Sequence, residues 1–170
     1  MAEKYYGKYR GMVLNNIDPM NTARLLVQVP DVLGLSTSSW ALPCVPFAGV
    51  QSGVFVLPII GAGVWVEFEG GNPDFPIWTG GFWGSAAEVP SSALLAAPGL
   101  PNIVLQSTNM NAVVISDLIA GPKGGIMLQS TTGAFITVND TGIYIDNGKG
   151  ASINMIGPTT DINKGALTIT

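Results

Sequence analysis

The side chains that ordinarily carry enzyme chemistry are scarce in these 170 residues. There is no histidine and a single cysteine, Cys44. A Ser–His–Asp or Cys–His relay needs an imidazole to take the nucleophile's proton, so neither can be assembled. Zinc lacks its preferred ligands for the same reason. Carboxylates remain. Glu67 and Glu69 stand two apart in VWVEFE, which puts both on one face of a strand. Such a pair could serve glycoside hydrolysis. The stronger reading is the outward face of a strand whose other face is core, since a strand pattern alone does not license a catalytic assignment. Asp117, Asp140 and Asp146, with Asn139 and Asn147 beside two of them, recur at the turns of the C-terminal half. A ladder of calcium or magnesium ions could use them. Asx turns explain them without a metal. No catalytic, cofactor-binding or metal residue is assigned, and no cofactor is expected. Cys44, in the apolar run WALPCVPF, reads as a small buried core residue.

The elements behind these residues are strands. The sequence has 22 glycines and 12 prolines, is 47% hydrophobic and only 11% charged. Long helical patterns are absent, and the Gly/Pro punctuation between Val/Ile/Thr-rich runs points to an all-β chain. Globular chains normally carry about a quarter of their residues as charges, so much of this surface is expected to be covered by other subunits. The net charge of −4 offers no footprint for nucleic acid. No basic leader precedes an apolar core, so synthesis in the cytoplasm without a signal peptide is expected. The apolar run over residues 54–66 is broken by Pro58, Gly61 and Gly63 and is too short to span a bilayer.

Residues 102–170 repeat. Ile103, Leu105, Gln106, Ser107, Val113, Ile115 and Asp117 recur 23 positions later as Ile126, Leu128, Gln129, Ser130, Ile136, Val138 and Asp140. A 17-residue offset then links Ile126, Leu128, Ala134, Ile136 and Val138 to Ile143, Ile145, Ala151, Ile153 and Met155. An insertion of LIAGPK at residues 118–123 accounts for the difference. A short-period β repeat is the signature of a stacked rod. Its apolar stripe starts with Ile103, Leu105, Val113 and Ile115. It continues through Ile126, Leu128, Ile136, Val138, Ile143 and Ile145, and ends with Ile153, Ile162, Leu167 and Ile169. One ribbon of short strands cannot bury that stripe; three copies wound about one axis can. These residues are therefore the expected trimer core. Seven or eight strands stacked at about 4.8 Å would give a rod of roughly 35 Å.

Residues 5–83 read as about five strands: 5–15, 24–30, 40–47 with Pro43 and Pro46 confining it to an edge, 64–69 after a shorter run at 54–56, and 76–83. In the fourth, Val64, Val66 and Phe68 face one way and Trp65, Glu67 and Glu69 the other. The Gly pair in PIWTGGFW marks a bulge. Residues 16–21 form a turn and 31–39 a loop. Five curled strands close most readily as an OB-type barrel, with an SH3-like barrel as runner-up. The aromatic residues Trp65, Phe75, Trp78, Phe82 and Trp83 lack the basic groove that strand-stacking on nucleic acid needs, and read as core and inter-subunit contacts. Residues 85–101, rich in Ala, Ser and Pro, form a linker in which Leu94, Leu95 and Leu100 are expected to lie against another subunit. The resulting division is 1–84 barrel, 85–101 linker and 102–170 needle.

The segments RLLVQVPDVLG, WALPCVPFAG and GVWVEFEGGNPDFPIWTGGFW together resemble the OB-fold domain of the central spike proteins of contractile injection systems: the baseplate assembly protein V-like family, with phage tail spikes and the type VI secretion spike. The order barrel, linker, β repeat fits as well. The resemblance implies an all-β fold, an N-terminal five-stranded OB-fold barrel followed by an intertwined triple-stranded β-helix or prism. It implies a non-enzymatic homotrimer that caps tube and hub, pierces the target membrane, and is built into a virion tail baseplate or an injection particle. The family's lysozyme domain has no counterpart between barrel and needle. The barrel's early start implies a separate hub protein, and the lack of histidine excludes a His-bound iron tip. A separate PAAR-like tip protein is then expected, with Leu167, Thr168, Ile169 and Thr170 as its platform. A trimeric tail-fibre-like carbohydrate-binding protein is the alternative, and a cell-wall hydrolase a more distant one.

Overall fold

The computed structural model describes residues 3–94, 99–120 and 122–170, without the side chains of residues 118–120. Leu95 and Gly121, which figure in the linker and insertion readings, lie outside the described residues. The chain divides into two compact units, Met1–Glu88 and Val89–Thr170.

The first unit is built on a five-stranded sheet. Its strands are β1 (Tyr9–Asn15), β2 (Leu26–Gln28), β3 (Leu42–Pro43), β6 (Gly63–Phe68) and β7 (Pro76–Phe82), in the order β2-β1-β6-β7-β3. All pairs are antiparallel except β3 with β7. A separate two-stranded hairpin, β4 (Ala48–Gly49) and β5 (Ser52–Gly53), stands between β3 and β6. Alternation dictates the core. Val64, Val66 and Phe68 of β6 turn inward with Val13, Leu25, Val27, Val29, Ala41 and Trp78, while Trp65 and Glu67 turn outward. Removing these apolar surfaces from water is the main driving force for the barrel, about 25 cal/mol per Å². The Gly pair of β7 carries a bulge: Val64 pairs with Gly81 but Val66 with Trp78. Gly80 there has φ +132°, a conformation that suits glycine.

Several expectations change. The strand foreseen at 40–47 contracts to Leu42–Pro43, because prolines at 43 and 46 remove ladder donors. Residues 54–56 join no strand. Cys44 is exposed, not core. Its backbone N–H donates to Trp78 O at 2.9 Å, and Ala41, bridged to Leu25 just before this short edge strand, takes the buried position. The loop at 31–39 opens with one helical turn, α1 (Pro30–Leu33), started by proline at its first position. Strand β6 ends at Phe68, so Glu69 begins a 3₁₀ turn and does not share the strand face of Glu67.

The turn at 16–24 holds a polar hub. Asp18, buried, accepts from Met20 N–H at 3.0 Å, Thr22 N–H at 2.8 Å, Thr22 Oγ1 at 2.9 Å and Arg24 N–H at 3.3 Å. Arg24 also donates side-on, Nε at 3.0 Å and NH2 at 2.6 Å to Asp18 Oδ1. The guanidinium in turn lies over the Trp40 ring, 5.3 Å from its centroid. Two carboxylate oxygens thus fix a turn that lets Trp78 Nε1 donate to Ala23 O at 3.0 Å, tying the turn to the core.

The second unit is an eight-stranded antiparallel meander: β8 (Asn102–Gln106), β9 (Ala112–Ala120), β10 (Lys123–Gln129), β11 (Phe135–Asn139), β12 (Gly142–Asp146), β13 (Ser152–Ile156), β14 (Thr159–Ile162) and β15 (Leu167–Ile169). Each strand pairs with its sequence neighbour. The architecture is thus all-β, a five-stranded sheet in the first unit and an eight-stranded antiparallel meander in the second. Side-chain-capped turns join the strands. Asn139 Oδ1 accepts from Thr141 N–H at 2.9 Å, Asp146 Oδ1 from Gly148 N–H at 2.6 Å, and Asp161 Oδ1 from Gly165 N–H at 2.6 Å. The first two, each spanning two residues, are Asx turns; the third reaches four residues on and caps a wider turn. Asp117 departs from the pattern. It lies inside β9, not at a turn, because the additional residues at 118–123 lengthen the β9–β10 hairpin. In that hairpin Gly125 sits at φ +78°, where an added Cβ would come 2.5 Å from Val138 O, so only glycine fits the close approach.

Candidate functional site: two apolar files on the C-terminal sheet

Pairing register, not proximity in sequence, assembles this site. Two positions on each strand point to the same face. Leu105 pairs with Val113, Val113 with Leu128, Leu128 with Ile136, and Ile136 with Ile145. Ile145 pairs with Ile153, Ile153 with Ile162, and Ile162 with Leu167. That is one unbroken apolar file across all eight strands. The second file runs Ile103, Ile115, Ile126, Val138 and Ile143. It continues through Met155 and Thr160 to Ile169. Every residue foreseen for the stripe is in one of the two files. Met155, which the 17-residue offset aligns with Val138 but which is not part of the expected stripe, joins the second file. Thr160 is the sole polar member.

The files face solvent in the single chain. Leu105 is 69% exposed, Ile103 61%, and even the central Ile143, Ile145 and Ile153 are 37%. A contiguous apolar surface of this extent is not left open on a soluble protein. The opposite face is different. Val114, Met127, Thr137 and Tyr144 are buried there within the chain. They form one paired column flanked by Val104 at one end and by Asn154, Asp161 and Thr168 at the other. Its C-terminal half is polar. The sheet therefore has one covered face and one that awaits cover.

Glu67 is engaged by Lys8 Nζ at 2.7 Å, and that ammonium also donates to Thr79 Oγ1 at 3.0 Å. Among the described residues no group of three or more His, Cys, Asp or Glu could hold a metal ion. The candidate aromatic residues disperse: Trp78 is core, Phe75 and Trp83 are exposed, and Trp65 packs on Phe82 with ring centroids 4.9 Å apart. Arg10 lies over that pair, its Cζ 5.8 Å and 5.4 Å from the two rings. Among the described residues, no helix is long and apolar enough to cross a membrane.

A family model of the type VI secretion system/phage-baseplate injector OB domain matches residues 9–83. One of the phage baseplate V C-terminal trimerisation domain matches residues 102–168, which takes in every member of the two files except Ile169. The chain belongs to the phage baseplate V-like spike family. The match order, injector OB domain first and trimerisation domain second, is the order of the two compact units. No curated protein sequence matches the chain. Membership in the baseplate V family makes the protein a structural baseplate component of a phage tail or related injection machine. It also gives the open face of the meander a context, because this sheet is the segment the trimerisation model covers.

Proposed function

We propose that the protein is a homotrimeric, non-enzymatic spike that caps the tube and hub of a contractile phage tail or phage-tail-like particle and pierces the target envelope. Residues 1–84 act as the barrel, 85–101 as linker and 102–170 as needle. The observation that carries this reading is the pair of registered apolar files, open along the whole meander. Three copies turning those files inward form a dry core, and at about 25 cal/mol per Å² the burial of so many branched side chains outweighs the loss of three independent chains. A core of close-packed aliphatic residues resists compression, which is what axial force transmission requires. The barrel faces a hub protein. The last strand, with Leu167, Thr168, Ile169 and Thr170, is the platform for a tip protein. Leu94 and Leu100, both exposed in the single chain, line neighbouring copies. Native mass spectrometry at micromolar concentration gives three chains; a single-chain mass refutes the reading. An image of the assembled particle places the density on the axis below the tube, and density on a peripheral fibre would instead favour surface binding.

Thr160 bears on how the copies align. It is the polar break in the second file, paired with Met155 on one side and Ile169 on the other. A lone polar position in an apolar core lowers stability and fixes register. Thr160→Val is expected to raise the thermal midpoint of trimer dissociation by several degrees. Differential scanning calorimetry checks this; a lowered midpoint would show that the hydroxyl is satisfied in the core.

A further inference from the structure

The two end strands of the meander are treated differently. β8 pairs with β9 alone, and β15 with β14 alone. All three residues of β15 are exposed. On β8, alternation turns Ile103 and Leu105 toward the files and Asn102, Val104 and Gln106 to the opposite face, where they are half-buried. Asn102 and Gln106 both hold a 3₁₀ turn from just before the strand, Ser91–Leu94. Asn102 Nδ2 donates to Ala93 O at 3.0 Å, and Ser92 Oγ donates to Gln106 Oε1 at 3.0 Å. Val104, between these two grips in sequence, packs on the buried cluster of Ala112, Val114 and Met127. The turn itself is closed by Ala93 N–H on Pro90 O at 2.9 Å.

An end strand has a ladder on one side only, so it opens before the inner strands unless something else holds it. The composition of residues 85–101 reads as a linker, yet the part from Val89 onward belongs to the second compact unit. We propose that residues 91–94 are a clasp that holds β8 in the meander and so sets Ile103 and Leu105 in place for the neighbouring copies. These two are the first rung of the files and their most exposed members, at 61% and 69%. β8 is then held on both faces, by its own chain on one and by other copies on the other. The working trimerisation segment begins at Val89, ahead of the stretch 102–168 that the family model matches. The clasp is a property of the single chain; the use made of the first rung rests on the trimer proposed above.

The test uses the full chain. Asn102→Asp keeps the shape of the side chain but replaces the donor to Ala93 O with a carboxylate oxygen, and Ser92→Ala removes the donor to Gln106. In the double variant the amides of β8 should exchange at least about tenfold faster than in the wild type, as the loss of two hydrogen bonds requires, while the amides of β12 keep their rates. Ser92→Ala alone should raise the β8 rates, and Ser92→Thr, which keeps the hydroxyl, should leave them at wild-type values. Unchanged β8 rates in the double variant overturn the clasp whatever the native mass. Rates that rise equally over β8 and β12 overturn it too, because the substitutions would then act on the whole sheet. On dilution the variant trimer should come apart at a higher protein concentration than the wild type; an unchanged concentration overturns the role given to the first rung. A wild-type native mass of one chain, with β8 exchange still raised in the variant, removes the trimer and that role and leaves the clasp standing.

Discussion

Full-length protein carrying Ile136→Asp and Ile153→Asp runs as a single chain in native mass spectrometry, while its barrel keeps the near-ultraviolet signature of buried Trp78. Both residues lie in the unbroken file, on either side of Ile145. Each substitution removes about 2 kcal/mol of aliphatic burial per chain. Each also asks the core to accept a carboxylate, at several kcal/mol more. In the proposed trimer, threefold symmetry would place three such charges at each level, so their repulsion would add to the desolvation. In the single chain both positions are open to water, Ile136 at 44% and Ile153 at 37% exposed, and the charges are tolerated there. The substitutions therefore act on association and spare the fold. A trimer that survives them would show that the files are not the interface.

Asp18→Ala is expected to lower the thermal midpoint of the barrel by several degrees, measured by differential scanning calorimetry. The change removes the acceptor for Arg24, for Thr22 and for three backbone N–H groups at once. It strands a guanidinium that is mostly covered. Asp18→Asn keeps the shape and tests the charge alone. The side-chain bonds from Arg24 hold the Asp18 carboxyl well below the usual carboxylate range; burial opposes that shift, and the N–H groups of Met20 and Thr22 and the Thr22 hydroxyl reinforce it. A depressed folded value stabilises above the unfolded pKa, near 4, and the contribution is lost as pH falls toward the folded one. The gap in thermal midpoint between wild type and Asp18→Asn should thus be constant from neutral pH to about 4 and narrow below it. A gap that stays constant down to pH 2 would remove the charge from the argument.

The Asp18 hub was illegible in the sequence because only its Asn/Asp/Pro turn content shows there. Which groups a turn carboxylate gathers depends on the folded path of the six residues up to Arg24. Cys44 failed for a related reason. An apolar flank in sequence says that a strand is near the core, but the edge position and the prolines decide which residues face it. Asp117 shows the limit of repeat alignment: the alignment made it equivalent to the turn residue Asp140, and a longer hairpin moved it into a strand. Conversely, Val64, Val66 and Phe68 were assigned correctly, because strict period-two alternation leaves a half-buried strand one choice of face.

The sequence by itself determined most of the strands, the inward face of the most strictly alternating ones, and one long apolar stripe in the C-terminal half. Those are local properties, set by side-chain period and turn chemistry within a few residues. Only the tertiary structure decided that the stripe is two files, that Met155 belongs to one and that Thr160 interrupts it. It also decided that part of the barrel's charge-free stretch forms a two-stranded hairpin outside the five-stranded sheet. Such placements follow from hydrogen-bond register between paired strands and from packing between distant segments. No single segment encodes them, because each strand's partner is fixed only when both are folded.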